Sequence, residues 1–323
     1  MCKVHPDLSV VRSGNVIGHC VSVNFIGKSS QRIIIEPMSP QYYKDEFLFF
    51  KPIFNPEVTL NEDRLIVESS RISETVDYII SNNITSLHIS SEYYKNESID
   101  FVKQVNFIKG LFILQEKMDL SAVNELTVLE ELRINTSISL VDFSNLPKLK
   151  TLSLDFDKNA TNIHLCKQLE CLSIIGFKEK NLKTLDSLKS LRSLNLYNTF
   201  IEDLTGIENL KELTVVRINT ARRLISLNGI FKGLQNLGLL DIYGAPLLND
   251  YSSLKGMRSI KQLELRKTGD VESTTIFESL PNLEHLTLGL KVLDGKMTRL
   301  KNIPSVGYID YPHYDVKLKK LKG

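Results

Sequence analysis

No window of this sequence approaches the roughly 18 uninterrupted apolar residues that a bilayer-spanning helix requires. An excess of one charge is missing too. The 40 lysines and arginines against 38 aspartates and glutamates leave a formal charge of +2. A nucleic-acid-binding domain usually carries a basic stripe, so neither nucleic acid nor membrane is expected as a partner. The N-terminus, MCKVHPDLSVVRSGNVIGHC, places His5, Pro6, Asp7 and Arg12 where a secretory leader needs an apolar run. Cysteine is scarce, with only Cys2, Cys20, Cys166 and Cys171. A disulfide-capped extracellular repeat protein would cluster cysteines at both ends, so free thiols and a cytoplasmic location are expected.

Signatures of chemistry are also lacking. The chain contains no glycine-rich phosphate loop, no G-x-S-x-G and no H-E-x-x-H. Cys2, His5, His19 and Cys20 make a C-x-x-H plus H-C grouping, but its spacing matches no standard zinc finger. No metal or cofactor is therefore expected, and the chain is expected not to be an enzyme.

What the chain does have is a repeat. The stretch LKSLRSLNLYNTFI places apolar residues at Leu188, Leu191, Leu194, Leu196 and Ile201, a short strand entered through L-x-x-L and left through a turn. Equivalent strand pairs are Leu65/Val67, Leu87/Ile89, Leu111/Ile113, Leu132/Ile134, Leu152/Leu154 and Leu172/Ile174. They continue as Leu194/Leu196, Val216/Ile218, Leu240/Ile242, Leu263/Leu265, Leu286/Leu288 and Val306/Tyr308, at intervals of 20–24 residues. One repeat cannot bury its own apolar edge, so the units must stack. Such short units leave room for 3₁₀ or short helical turns on the outer side, with the longest helix expected over 73–82 and Ser73 as its cap.

On these residues the chain resembles leucine-rich repeat proteins of the internalin-like or phosphatase-regulator-like kind, over about residues 60–311. The fold expected is an α/β solenoid: a horseshoe or arc with a parallel sheet on its concave face and an N-terminal β-rich cap. Thr199, Ala221, Ala245 and Thr268 stand where the family carries a buried asparagine, so its side-chain ladder is not expected to form as such. By analogy with that family, the role expected is a toxin-neutralising (immunity) or regulatory one in a bacterium.

Residues 1–57 lack the repeat and read as an N-terminal β-rich cap or small domain. A hairpin is expected around 21–35, followed by the apolar run Phe47–Phe54. Residues 58–311 hold about twelve repeats. Residues 312–323 complete a C-terminal cap, with Tyr308, Tyr311 and Tyr314 around Pro312, and end in a basic tail of Lys317, Lys319, Lys320 and Lys322.

The register predicts which residues face outward on the concave side. Its central column reads Ile66, His88, Phe112, Arg133, Ser153, Ser173, Asn195, Arg217, Asp241, Glu264, Thr287 and Gly307. From Asn195 to Lys267 the face mixes Asn195, Tyr197, Arg217, Asn219, Asp241, Tyr243, Glu264, Arg266 and Lys267, and protein interfaces favour tyrosine and arginine. Those nine residues are the candidate partner-binding site. Arg217, Asp241 and Glu264 could also simply pair with one another in water. Asp241 and Glu264 lie one strand apart, but no third catalytic group accompanies them. The reading is a non-catalytic protein-binding scaffold. The alternative is an enzymatic or ligand-binding N-terminal segment that the repeats target.

Overall fold

The structure is a computed structural model that describes residues 41–52, 60, 62–115, 117–135, 141–156, 160–230 and 233–321. The hairpin expected around 21–35 and the Cys2/His5/His19/Cys20 grouping lie outside them. One sheet of 14 strands runs through the molecule, its spatial order the same as its order in the chain. The strands are β1 (Gln41–Lys44), β2 (Phe47–Phe50), β3 (Arg64–Ile66), β4 (Ser86–Ser90), β5 (Gly110–Leu114), β6 (Glu131–Ile134) and β7 (Thr151–Asp155). They continue as β8 (Cys171–Ile175), β9 (Ser193–Tyr197), β10 (Val215–Asn219), β11 (Leu239–Tyr243), β12 (Gln262–Arg266), β13 (His285–Gly289) and β14 (Ser305–Tyr308). The first two join antiparallel, and every pair from β3 onward is parallel.

The repeat register holds along the whole sheet. Leu172 pairs with Leu194, Leu194 with Val216, Val216 with Leu240 and Leu240 with Leu263. Leu188, Leu191, Leu194, Leu196 and Ile201 are each completely buried, in a single core that runs from Phe49 to Tyr314. The outer side is built largely from 3₁₀ turns such as Ile207–Asn209 and Ser252–Leu254. Gly206 shows how tightly these turns stack. At φ +104° an added Cβ would lie 2.6 Å from the Leu182 carbonyl carbon.

The longest helix, α1, spans Ile72–Asn82. Ser73 does not cap it: a 3₁₀ turn, Ser69–Arg71, runs directly into the helix, so Ser73 already lies inside the first turn. Asn83 closes the other end in the left-handed conformation.

Two substitutes replace the missing asparagine ladder. The Thr199 hydroxyl donates to the Phe177 carbonyl at 3.2 Å and accepts from Ile201 N at 3.4 Å. Two repeats on, the buried Tyr251 hydroxyl reaches Gly269 O at 2.7 Å, Leu248 O at 3.1 Å and Thr268 Oγ1 at 3.0 Å. Ala221 and Ala245 pack in the same positions without a polar group.

Both ends of the stack are covered by the chain itself. In β2, Phe49 joins the main core, while Leu48 and Phe50 point to the opposite face and cluster with Ile66. The β1–β2 turn is tied to α1 by Phe47 stacked on Tyr78 at 4.1 Å, by Tyr78 Oη to Asp45 at 3.0 Å and by Arg71 to the Glu46 carbonyl at 3.0 Å. At the other end Tyr308 and Tyr314 are buried edge to face, 5.8 Å apart. The Tyr314 hydroxyl accepts from Val292 N at 2.8 Å, and that of Tyr308 donates to Val316 O at 3.0 Å. The described part of the basic tail forms a short helix, α3 (Leu318–Leu321; α2 is Thr275–Glu278), with Leu318 and Leu321 packed against the core.

Leu194→Ala is expected to lower stability by about 2–5 kcal/mol, because it leaves a cavity within a continuous core. Lys211→Ala, at an exposed position, is expected to change stability by less than about 0.5 kcal/mol. Urea melts check this, and equal losses would contradict the stacking.

Candidate functional site on the concave face

Only part of the outward-facing column is open. Ile66, His88 and Phe112 sit in the outward column, in the more apolar first half of the sheet that the N-terminal segment was expected to cover in part, and all three are buried. The N-terminal segment covers Ile66 and His88, and Arg64 of β3 covers Phe112. Phe50 stacks flat on the His88 ring at 5.1 Å, and the Arg64 guanidinium lies 3.3 Å from the centre of the Phe112 ring. Beside them Glu131, fully buried, accepts from Arg133 Nε at 2.9 Å and from Leu60 N at 3.2 Å. Burial raises the Glu131 carboxyl pKa, with Arg133 and Arg64 pulling against that shift. Burial, reinforced by the Arg64 charge, pushes His88 down to about 4.

Positions of the central outward column are half-buried rather than buried from Arg133 of β6 onward, Asn195 excepted, and the candidate residues lie across β9–β12. Register alone aligns Asn195, Arg217, Asp241 and Glu264 in one row, and Tyr197, Asn219, Tyr243 and Arg266 in the next. Asn195 turns out to be floor rather than surface. It is buried, donating to Ser173 Oγ at 3.2 Å and Ser193 Oγ at 3.3 Å, and it accepts from Arg217 Nη1 at 3.4 Å.

The charges do pair, but through a different hub from the one the row suggests. Arg266 Nη2 reaches both Asp241 carboxylate oxygens, at 2.9 and 3.0 Å, and Glu264 at 3.1 Å. Gln262 holds the other Glu264 oxygen at 2.6 Å. Gly289 leaves space for this arginine, since a Cβ there would lie 3.2 Å from its Cα and Cγ. Asp241 is the most enclosed of the set, and its burial raises its pKa against the opposing pull of Arg266. The two carboxylates are thus held by one guanidinium, an arrangement suited to a fixed, nearly charge-balanced surface.

Around this hub lie the aromatic residues. Lys267 Nζ sits 5.0 Å and the Arg266 guanidinium 5.9 Å from the Tyr243 ring centre. Lys267, Thr220 and Asn198 each follow a strand with positive φ, at 51°, 60° and 51°, where Gly176 and Gly244 serve in neighbouring repeats. A lysine or β-branched threonine is strained there. Tyr197, Arg217, Asn219, Tyr243 and Arg266 are all half-buried, and Lys267 is exposed. Sequence reasoning passed over Gln262 and Ser193, and named Ser173 in the outward column without placing it in the site, yet all three hold the named residues in place. The same two-residue alternation points to all three.

No helix among the described residues is long and apolar enough to cross a membrane. Cys166 is buried and Cys171 lies half-buried on the sheet face. Burial pushes the Cys166 thiol pKa up to about 12.

Two predictions follow from these side chains. His88 has a folded pKa of about 4, below the ordinary 6.5, so the unfolded chain binds more protons between those values. Its contribution of about 3 kcal/mol is present above about pH 6.5 and is lost as the pH falls toward 4. Urea midpoints at pH 7 and pH 4.5 should show His88→Phe losing about 2–3 kcal/mol less on acidification than the parent chain. Separately, Arg266→Leu is expected to destabilise by about 1–3 kcal/mol at pH 7, because it strands Asp241 beside Glu264. Adding Asp241→Asn should recover most of that loss, read as a double-mutant cycle.

No family model matches the sequence, and no curated protein matches it. Solved structures do. An internalin from Listeria monocytogenes superposes with a TM-score of 0.50 at 21% identity, covering 72% of this chain and 77% of that one. The Toll–Spatzle complex of Drosophila gives 0.57 at 11% identity, over 85% of this chain and 48% of that one. The TLR13–ssRNA13 complex gives 0.51 at 20% identity, over 72% and 37%. At such identities the likeness is one of architecture, and it agrees with the stacked sheet and 3₁₀ turns: the fold is a leucine-rich repeat solenoid.

Proposed function

We propose that this protein is a non-catalytic scaffold that binds a partner protein through the open half of its concave face, at β9–β12. The observation that carries the reading is the arrangement of Tyr197, Arg217, Tyr243 and Arg266. Four consecutive strands present them from a sheet whose underside is completely buried. A backbone held this firmly loses little freedom on association, so contacts are not offset by ordering. The carboxylates of Asp241 and Glu264 at the centre favour a protein over a polyanion, as does the near-neutral formal charge of +2. The structural neighbours include a Toll–Spatzle complex, which agrees with a binding role for the architecture.

In the same proposal residues 1–57 act as the cap and 58–311 as the repeats, while 312–323 close the far end. A scaffold that works by covering its partner's surface suits toxin neutralisation (immunity) or regulation, in the cytoplasm.

The test starts from affinity capture in the source cell with mass spectrometry, followed by titration of the purified partner. Tyr243→Ala and Arg217→Ala are each expected to weaken binding by about 2 kcal/mol, roughly 30-fold in Kd, without lowering the Tm. The tail is probed by charge reversal at Lys319 and Lys320 rather than by deletion, which would remove Leu318 and Leu321 from the core. Those reversals should matter little at physiological salt. If they abolish binding while both concave substitutions leave it intact, recognition lies elsewhere.

A further inference from the structure

A sheet that runs open from β1 to β14 must end on an edge strand, and β14 is the last. Ser305 N donates to Glu284 O at 2.8 Å and Ile309 N to Leu288 O at 3.3 Å. Alternation along the strand therefore turns the backbone groups of Ser305 and Gly307 toward β13, and those of Val306 and Tyr308 away from it. The N–H and C=O groups of Val306 and Tyr308 have no hydrogen-bond partner among the described residues. The layer also opens here. Val306 and Tyr308 are each 8% exposed, whereas Leu286 and Leu288, at the same positions one strand earlier, are each 1% exposed.

Nothing in the strand itself blocks pairing. It reads SVGY, without charge or proline, the devices that usually protect an edge. A Cβ added at Gly307 would meet nothing within 4 Å, so the concave side of the edge is bare. The helix that closes the core, α3, packs through Leu318 and Leu321 and makes no backbone hydrogen bond to β14.

The end layer also carries a sign. Lys296, Lys301, Lys317, Lys319 and Lys320 are all exposed there. Arg299 pairs with Asp294 at 3.2 Å. Asp310 and Asp315 remain charged while they accept from Leu318 N at 2.8 Å and Thr298 N at 3.1 Å. Between residues 294 and 321, six cations thus stand against three carboxylates, an excess of three in a chain whose total is +2. Lys317 Nζ donates to Tyr311 O at 2.8 Å, which sets that cation close to the end of the strand. A second copy of the chain would bring two such basic layers together, at a cost that an acidic strand avoids.

We infer that the outer edge of β14 is a second binding site, which takes up an extended acidic segment of another protein as a further strand of the sheet. Main-chain hydrogen bonds to Val306 and Tyr308 hold the segment, as in other cases of strand addition. The surrounding lysines select its charge. The site is separate from the concave face and takes a ligand other than that face's partner, so neither reading depends on the other.

The experiment uses the full chain and labelled 10-residue peptides that alternate threonine with glutamate, glutamine or lysine. A fourth peptide is the glutamate one N-methylated at its four central residues, which removes pairing N–H groups from both of its edges and keeps its charge. Fluorescence anisotropy at physiological salt should show the glutamate peptide binding saturably, at least about tenfold tighter than each of the other three. Amide exchange followed by NMR should slow at Val306 and Tyr308 when it binds. Lys319→Glu together with Lys320→Glu should weaken it by about tenfold or more with an unchanged thermal melt, and Tyr243→Ala should leave it within about twofold. Equal binding of the methylated peptide makes the contact one of charge alone and overturns the inference. Equal binding of the glutamine or lysine peptide does the same, as does absence of saturable binding by the glutamate peptide. Binding that Tyr243→Ala abolishes belongs to the concave face, which removes the edge site and leaves the concave reading standing. A dimer in sedimentation that protects the same two amides without peptide assigns the edge to a second copy of this chain and also overturns the proposal.

Discussion

A single repeat of this chain has no inside. Its two strand leucines and the leucines before them lie along one edge, and only the next repeat can take that edge out of water. Each fully buried Leu or Ile contributes about 1.5–3 kcal/mol relative to exposure, and Leu188, Leu191, Leu194, Leu196 and Ile201 supply five in one unit. Stacking is therefore obligatory, and it brings the backbone of each turn onto the next. That closeness explains Gly206, the Thr199 and Tyr251 hydrogen bonds and the predominance of 3₁₀ turns over full helices on the outer side.

The same requirement creates a difficulty at each end, where the last edge has no neighbour. At the C-terminal end the tyrosines serve because they bring hydrocarbon and a hydroxyl together: Tyr314 covers the final layer while its oxygen satisfies Val292 N. At the N-terminal end β2 is used on both faces. Phe49 closes the core, and Leu48 and Phe50 fold the other way, onto the concave side. Closing the core has thus taken the first strands of the concave face out of solvent. Arg64, His88 and Glu131 are enclosed there, among aromatic rings and each other.

The proposed recognition face lies on the later strands, and the chemistry there fits that division. Arg266 ties two carboxylates into a fixed group, Gln262 braces it, Asn195 holds Arg217 in the row beside it, and Tyr243 stands next to it with Lys267 and Arg266 over its ring. Strain is tolerated in the turns after these strands, where Thr220 and Lys267 occupy a conformation suited to glycine. The structure stores that strain where the backbone on both sides is held by stacked repeats, and beyond it the chain exposes Phe200, Ile225 and Leu247.

The strands, their register and the inward leucines were legible in the sequence, because they follow from an alternation of two and a repeat of 20–24 residues, both local properties. Twelve apolar pairs marked the parallel strands β3–β14. The rows containing Arg217, Asp241, Tyr243 and Arg266 could be written down for the same reason. That the apolar first half of the sheet could be covered was legible, but which outward positions are open was not. His88 and Glu264 occupy the same place in their repeats, yet one lies beneath Phe50 and the other faces solvent. Partner choice within the rows was equally hidden, since Arg266 reaches across a strand boundary to Asp241 at a distance of 25 residues along the chain. Ser73 had the residue type of a cap, but a preceding turn entered the helix without a break. A periodic sequence determines which way a side chain points; what lies on top of it depends on distant segments, and only the folded chain brings those together.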